Sequence, residues 1–343
     1  MATPHGPRRG SLQYKPRKRA AREVPRIRAW PEEEQVRVQG FAGYKAFMTH
    51  VFVVDENKNS PTYGQEIFLP ATVLEVPPMR IFGIRVYGID EETQYLGVIG
   101  EVWNLANIDQ RLHFRITLPR NFSEQQLKER LEKIESLLDK VKEVRVLAYT
   151  NVRLAGFPKK TPDVMEWNIG GKDIEKKWQY AKEILGKDIR ISEIFKEKEY
   201  VDVFAVTKGK GFEGPVKRWG KKIMKRKHKL QGIARHIGSA GPRGPARVMW
   251  TVPYPGQLGY HTRCEYNKII LKIGDNPEEI NPPGGIPHYG IVRTDWVLLA
   301  GSVPGPRKRL VRLRPAIRPP KGEKLASWVG QITYISRESL LAK

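Results

Sequence analysis

The sequence predicts a mainly β protein: antiparallel strands that curl or close, an inserted α+β lobe, and long basic extensions. Three observations carry this. Short β-branched and aromatic runs bounded by Gly, Pro, Asn or Asp recur from Gln39 to beyond Leu310. One stretch, 114–197, interrupts them with apolar residues at helical spacing. Positive charge is gathered into three segments instead of being spread along the chain.

The elements follow in order. Residues 1–30 read as a basic arm with four prolines, few aliphatics and no core of its own, ordered on binding a partner. Strands are expected over FAGYKAFMTHVFVVDE, ATVLEVPP and RIFGIRVYG. Ser123 and Gln126 form a capping box ahead of Leu127, Leu131, Ile134, Leu137, Leu138 and Val141, the stripe of an amphipathic helix. A strand over Glu143–Thr150 follows. Ile174, Trp178, Ala181 and Leu185 then mark a second helix, stopped by Gly186. Strand patterns resume at Tyr200–Thr207, Ile269–Ile273, Tyr289–Ala300 and Leu310–Leu313. The expected organisation is a body of 31–113 and 198–343, split by the lobe at 114–197. A central basic loop, 208–265, extends from the second half.

Length and composition narrow the function. The 343 residues allow one large or two ordinary domains, and eight tryptophans can furnish a core. A single cysteine, Cys264, excludes an internal disulfide and a Cys-based zinc site. No apolar run approaches the ~18 residues of a membrane span, and the arm lacks the apolar centre of a secretory signal. A soluble, intracellular protein is expected. Its net charge of +24 is uneven: +8 in 1–30, +12 in 208–247 and +7 in 305–324, leaving −3 for the rest. From Pro215 to Cys264 there is no Asp or Glu. An ordinary solvated surface intersperses acids among its bases, so this one expects a polyanion. A membrane surface would favour an amphipathic helix. The run KRWGKKIMKRKHK offers only Trp219, Ile223 and Met224, in no stripe. Extended cationic chain with interleaved aromatics fits phosphate tracking and base stacking, hence nucleic acid, and RNA over DNA.

Enzyme motifs fail on inspection. Gly209-Lys-Gly211-Phe-Glu-Gly214 matches G-x-G-x-x-G, but Pro215 and a basic run follow, with no acid until Glu265. These glycines are assigned instead to close backbone approach to phosphate. GPVKRWGKK misses the phosphate-loop spacing by one residue, and Lys222 replaces its hydroxyl. His261 and Cys264 lack partners for a metal site, and no nucleophile–base pattern appears. No cofactor and no metal are expected. The candidate RNA-binding residues are Arg8, Arg9, Lys15, Arg17, Lys18 and Arg19 of the arm. In the loop they are Lys208, Lys210, Lys217, Arg218, Trp219, Lys221, Lys222, Lys225, Arg226, Lys227, His228, Lys229, Arg235, His236, Arg243 and Arg247. The Gly-, Pro- and aromatic-rich return adds Gln257, Tyr260, His261, Arg263 and Asn267. The C-terminal segment adds Arg307, Lys308, Arg309, Arg312 and Arg314, the last two on the outward face of an alternating strand.

These blocks also carry a family resemblance. PRKR (Pro16–Arg19), GYKAFMTHV (Gly43–Val51), VTKGKGFEGPVKRWG (Val206–Gly220) and PARV (Pro245–Val248) closely resemble ribosomal protein L-three of the archaeal and eukaryotic type. So do PGQLGYHTRCEYNK (Pro255–Lys268), GGIPHYG (Gly284–Gly290) and VPGPRKRLVRLR (Val303–Arg314). The resemblance implies a six-stranded closed, translation-protein-like β-barrel with the lobe inserted. It implies a structural constituent of the large ribosomal subunit that binds 23S rRNA, supports early assembly and sends its loop toward the peptidyl-transferase centre. Neighbouring large-subunit proteins, an L-fourteen-like one among them, are implied partners. No membrane and no small-molecule substrate are implied. Relatives commonly carry Trp at the loop tip where this chain has Arg243, and Trp250, seven residues on, does not inherit that role. The alternatives from other classes are an RNA-processing enzyme and a free RNA chaperone using the same basic surface.

Overall fold

The computed structural model describes residues 7–338 except 91, 120–122, 225–233, 242, 243 and 245. In chain order its strands and helices are β1 (Phe41–Asp55), β2 (Glu66–Glu75), β3 (Met79–Ile89), β4 (Leu96–Trp103) and α1 (Glu124–Glu135). Then come β5 (Val141–Thr150), β6 (Val164–Asn168), α2 (Ile174–Ile184), β7 (Asp188–Ile189), α3 (Ile191–Ile194) and β8 (Tyr200–Val206). They are followed by β9 (Phe212–Glu213), α4 (Pro215–Trp219), β10 (Gly256–Gln257), β11 (Thr262–Gly274), β12 (Trp296–Ala300), β13 (Leu310–Pro315) and β14 (Val329–Ile335). The chain divides into two units, one of 23–205 with 264–343 and one of 1–22 with 206–263.

The larger unit is mainly β. Hydrogen bonding runs β13-β8-β11-β12-β2-β1, and β1 pairs again with β13, so these strands form a ring; β14 lies along β1 outside it. The length of β1 makes this possible. Its first residues pair with β13 (Phe41↔Leu313, Tyr44↔Leu310), its last with β14 (Val51↔Ile335), and β2 covers most of its other edge. The ring is filled by buried Phe41, Val73, Trp296, Leu298, Val311 and Leu313, the apolar runs that marked these strands. A second sheet, β4-β3-β5-β6 with β7 on β3, carries α2, which buries Trp178, Ala181 and Ile184. Strands from both sides of residue 114 therefore share one sheet.

Ser123 caps α1 as expected: its hydroxyl accepts the Gln126 N–H at 3.2 Å. The helix stops at Glu135, however, and Val141 opens β5. One apolar position at the right spacing fits either the next helical turn or the first inward residue of a strand, so the stripe overran the boundary. The expected strand Tyr289–Ala300 is also shorter, starting at Trp296. The residues before it bend around buried Glu75. That carboxylate accepts the N–H groups of Gly156 (3.0 Å), Arg293 (2.7 Å) and Thr294 (3.3 Å) and the Tyr289 hydroxyl. Backbone donors that a sheet ladder would have used are thus satisfied by one side chain.

Candidate nucleic-acid interface

The smaller unit brings the arm and the central loop together, and Trp219 is its centre. Pro215 starts α4 without leaving a missing donor, and Gly220, at φ +67°, ends it. Trp219 is thereby set inward, 5% exposed, with its indole N–H donating to the Tyr254 carbonyl at 2.8 Å. Three guanidinium groups gather on the ring: Arg17 at 3.9 Å from its centroid, Arg8 at 5.2 Å and Arg218 at 5.4 Å. Such contacts contribute about 0.5–2 kcal/mol each. Gly10 (φ +73°) lies under the ring, where a Cβ would stand 2.9 Å from it, so the chain approaches Trp219 only because this residue is glycine.

The loop's return is fixed equally closely. Arg218 donates from Nε to the Gln257 carbonyl (3.1 Å) and from Nη1 to that of Tyr254 (2.8 Å). Ala20 N–H donates to the Tyr260 carbonyl at 2.8 Å, and Arg19 lies 5.7 Å from the Tyr260 ring. His261 is buried, with Nδ1 2.9 Å from the Lys18 carbonyl oxygen. Burial, more than the nearby arginines, pushes its imidazole below the usual range, so the neutral ring donates to Lys18. Arg17 is likewise pushed down by burial and then by Arg218, Arg263 and Arg8. Like charges held this close create a field that favours an incoming anion.

Around this packed centre stand cations with no side-chain partner among the described residues. Arg9, Lys18, Lys208, Lys210, Lys222, Arg235 and Arg247 are all exposed. Lys217 pairs with Glu213 at 3.1 Å, Lys221 donates to the His236 carbonyl at 2.8 Å, and Lys15 lies 3.0 Å over the Trp250 ring. Phe212 is exposed beside them. Gly211 takes φ +69°, and no described residue beyond the chain neighbours comes within 4 Å of a Cβ built there or at Gly214; at Gly209 a Cβ would make ordinary contact with Tyr260. The arrangement offers phosphates an acid-poor surface and bases an exposed aromatic one.

Against this geometry stand the sequence relationships. The family model described as "Ribosomal protein L3" matches residues 1–341. The chain belongs to the ribosomal protein L3 family. It is 54% identical over 337 residues to "Large ribosomal subunit protein uL3" of Methanocaldococcus jannaschii, covering 98% of each chain. It is 53% identical to that of Archaeoglobus fulgidus, again covering 98% of each, and 52% identical to that of Methanopyrus kandleri, covering 98% of this chain and 91% of the relative.

Not every candidate of this L3-family chain lies in the arm–loop unit. Lys225, Arg226, Lys227, His228, Lys229 and Arg243 fall outside the described residues. Arg307, Lys308, Arg309, Arg312, Arg314 and Asn267 belong to the larger unit. Two of these correct the reading of an outward arginine face, since β13 is buried on both sides. Arg312 is 4% exposed, lies 4.0 Å over the Trp167 ring and donates to the carbonyls of Pro25 (2.9 Å) and Glu166. Arg314 is 3% exposed, pairs with fully buried Asp202 and donates to the Ala29 carbonyl at 2.6 Å. Both arginines hold residues 23–30 against the unit they themselves belong to, and Trp30 meets Trp167 edge-on at 6.1 Å. His261 is also turned inward and buried. Gly10 and Trp250 were not among the candidates; the glycine between Arg9 and Ser11 was the available signal.

Proposed function

We propose that this chain is a structural, non-enzymatic constituent of the cytoplasmic large ribosomal subunit that holds 23S rRNA through its arm–loop unit. The observation carrying this is the Trp219 cluster, where arm and loop arginines are fixed on one ring in a unit that also exposes lysines and arginines with no side-chain partner among the described residues. Family membership supports both the ribosomal setting and the absence of a catalytic role. In this reading the arm and loop cations neutralise phosphates, exposed aromatics stack on bases, and Gly209, Gly211 and Gly214 keep the backbone open to a close phosphate. The loop runs toward the peptidyl-transferase centre and assists early assembly. The ring of strands acts as a closed six-stranded barrel, with residues 114–197 inserted as a lobe, and an L-fourteen-like protein lies beside it.

Sedimentation of cell extract tests the reading. Near-complete co-migration of the protein with large subunits is expected; a large free pool would favour an RNA chaperone. Protection of 23S rRNA fragments, with no turnover, separates it from an RNA-processing enzyme.

A further inference from the structure

The larger unit carries a second cationic surface that none of the three basic segments supplies. An open cleft of about 520 Å³ is lined by Arg111, Arg153, Lys159, Lys160 and Arg293, with Phe157 in its wall. Five cations here contrast with the net charge of −3 outside the three basic segments. Two of them are already answered: Arg153 pairs with Asp109 at 2.8 Å, and Lys159 pairs with buried Asp163. The side chains of Arg111, Lys160 and Arg293 have no hydrogen-bond or ion-pair partner among the described residues. Lys160 and Arg293 are exposed and Arg111 is half-buried.

The cleft is built, not incidental. Glu75 ties the segment holding Arg153 and Lys160 to that holding Arg293 by accepting the Gly156 and Arg293 N–H groups. A Cβ at Gly156 would stand 1.4 Å from the Ile291 carbonyl oxygen, so the two segments meet only across a glycine. The Asp109 carboxylate, while capping the Arg111 N–H at 2.9 Å, also holds Arg153. Buried carboxylates are spent on backbone donors and on the inner cations, and three outer cations from separate stretches of chain are left converging on open space. Unanswered like charges held on a rigid frame are stabilised by an anion with several spaced charges.

We propose that this cleft is a separate binding site for the phosphate backbone of RNA, engaged by Arg111, Lys160 and Arg293. It rests on the reading of the chain as an rRNA-binding protein, and the test separates the two. Full-length protein and the triple variant R111Q/K160Q/R293Q are titrated with a 23S rRNA transcript over a range of salt concentrations. Each lost phosphate contact lowers the slope of log affinity against log salt by about 0.7–0.9, so a decrease of about 2–3 is expected. The substituted side chains have no partners among the described residues to lose, and an unchanged melting temperature checks the fold. In parallel, Lys160 of the wild type is expected to be shielded from amine acetylation when the transcript is bound. An unchanged slope with equal Lys160 acetylation overturns the cleft proposal while wild-type binding stands. Shielding of Lys160 only by ribosomal proteins and not by RNA also overturns it, in favour of an acidic protein partner. Absence of any salt-dependent binding by the wild type overturns the rRNA reading itself.

Discussion

The Arg17 guanidinium carbon stands 3.9 Å from the centroid of the Trp219 ring, and Arg17 Nη1 donates to the Arg218 carbonyl at 3.4 Å, across 201 positions of sequence. An arm and a loop that each lack a core acquire one by sharing a tryptophan. The apolar ring accepts cations that would otherwise repel one another across bare solvent.

Truncating that ring tests the arrangement. Trp219→Ala removes a buried indole, a change costing about 3–5 kcal/mol where the site cannot collapse. Amide hydrogen exchange over residues 7–22 and 254–261 is expected to accelerate, while β1 and β2 keep their protection. Equal acceleration throughout would mean that Trp219 supports the whole fold.

The pH dependence of the same unit follows from His261. Its imidazole is held below its usual range, chiefly by burial, so the unfolded chain binds the proton more tightly than the folded one. The stabilisation is fully present above the unfolded value of ~6.5 and is lost as pH falls from there through the folded value. An NMR titration is expected to find His261 titrating below the usual histidine range, with exchange around Ala20 and Thr207 rising over that interval. A normal titration would contradict its burial.

Arg314 should behave as a structural residue. Arg314→Met leaves the fully buried Asp202 without its cationic partner, and breaking a buried pair in this way costs roughly 3–5 kcal/mol. A clear fall in the urea midpoint is expected. The salt slope of rRNA binding is expected not to change. A fall in slope without a loss of stability would return Arg314 to the list of phosphate contacts.

Cys264 gives a simpler check. Burial, and then the neighbouring Asp202, push its thiol up to about 11. Thiolate is the reactive form, so alkylation at pH 8 is expected to be roughly a hundredfold slower in the native protein than after unfolding.

Sequence carried the strands written as apolar, β-branched and aromatic runs, such as β1 and β8, both largely buried, and the capped start of α1. It did not reveal β4, where Gly97 and Gly100 dilute the signal and Leu96 and Val98 are exposed. It also misjudged β13. An alternating strand reads as half-solvated, but β13 lies between β1 and β8 with residues 25–29 accepting from its arginines, which places Arg312 and Arg314 inside. Burial of a charge depends on carbonyls and carboxylates brought from distant sequence, and no local pattern records them. Charge counting found the arm and loop because their cations are consecutive. It passed over Arg111, Lys160 and Arg293, whose cluster exists only after Glu75 joins two loops.

The most direct test of the arm–loop unit as the RNA-binding surface is the salt dependence of 23S rRNA affinity for the full-length protein. The comparison is a variant with Arg9, Lys18, Lys208, Lys210 and Lys222 changed to Gln. The wild type is expected to show a steep linear fall of log affinity with log salt, and the variant a slope smaller by about 3.5–4.5. A wild-type affinity that barely responds to salt, or a variant slope equal to the wild type's, would contradict it.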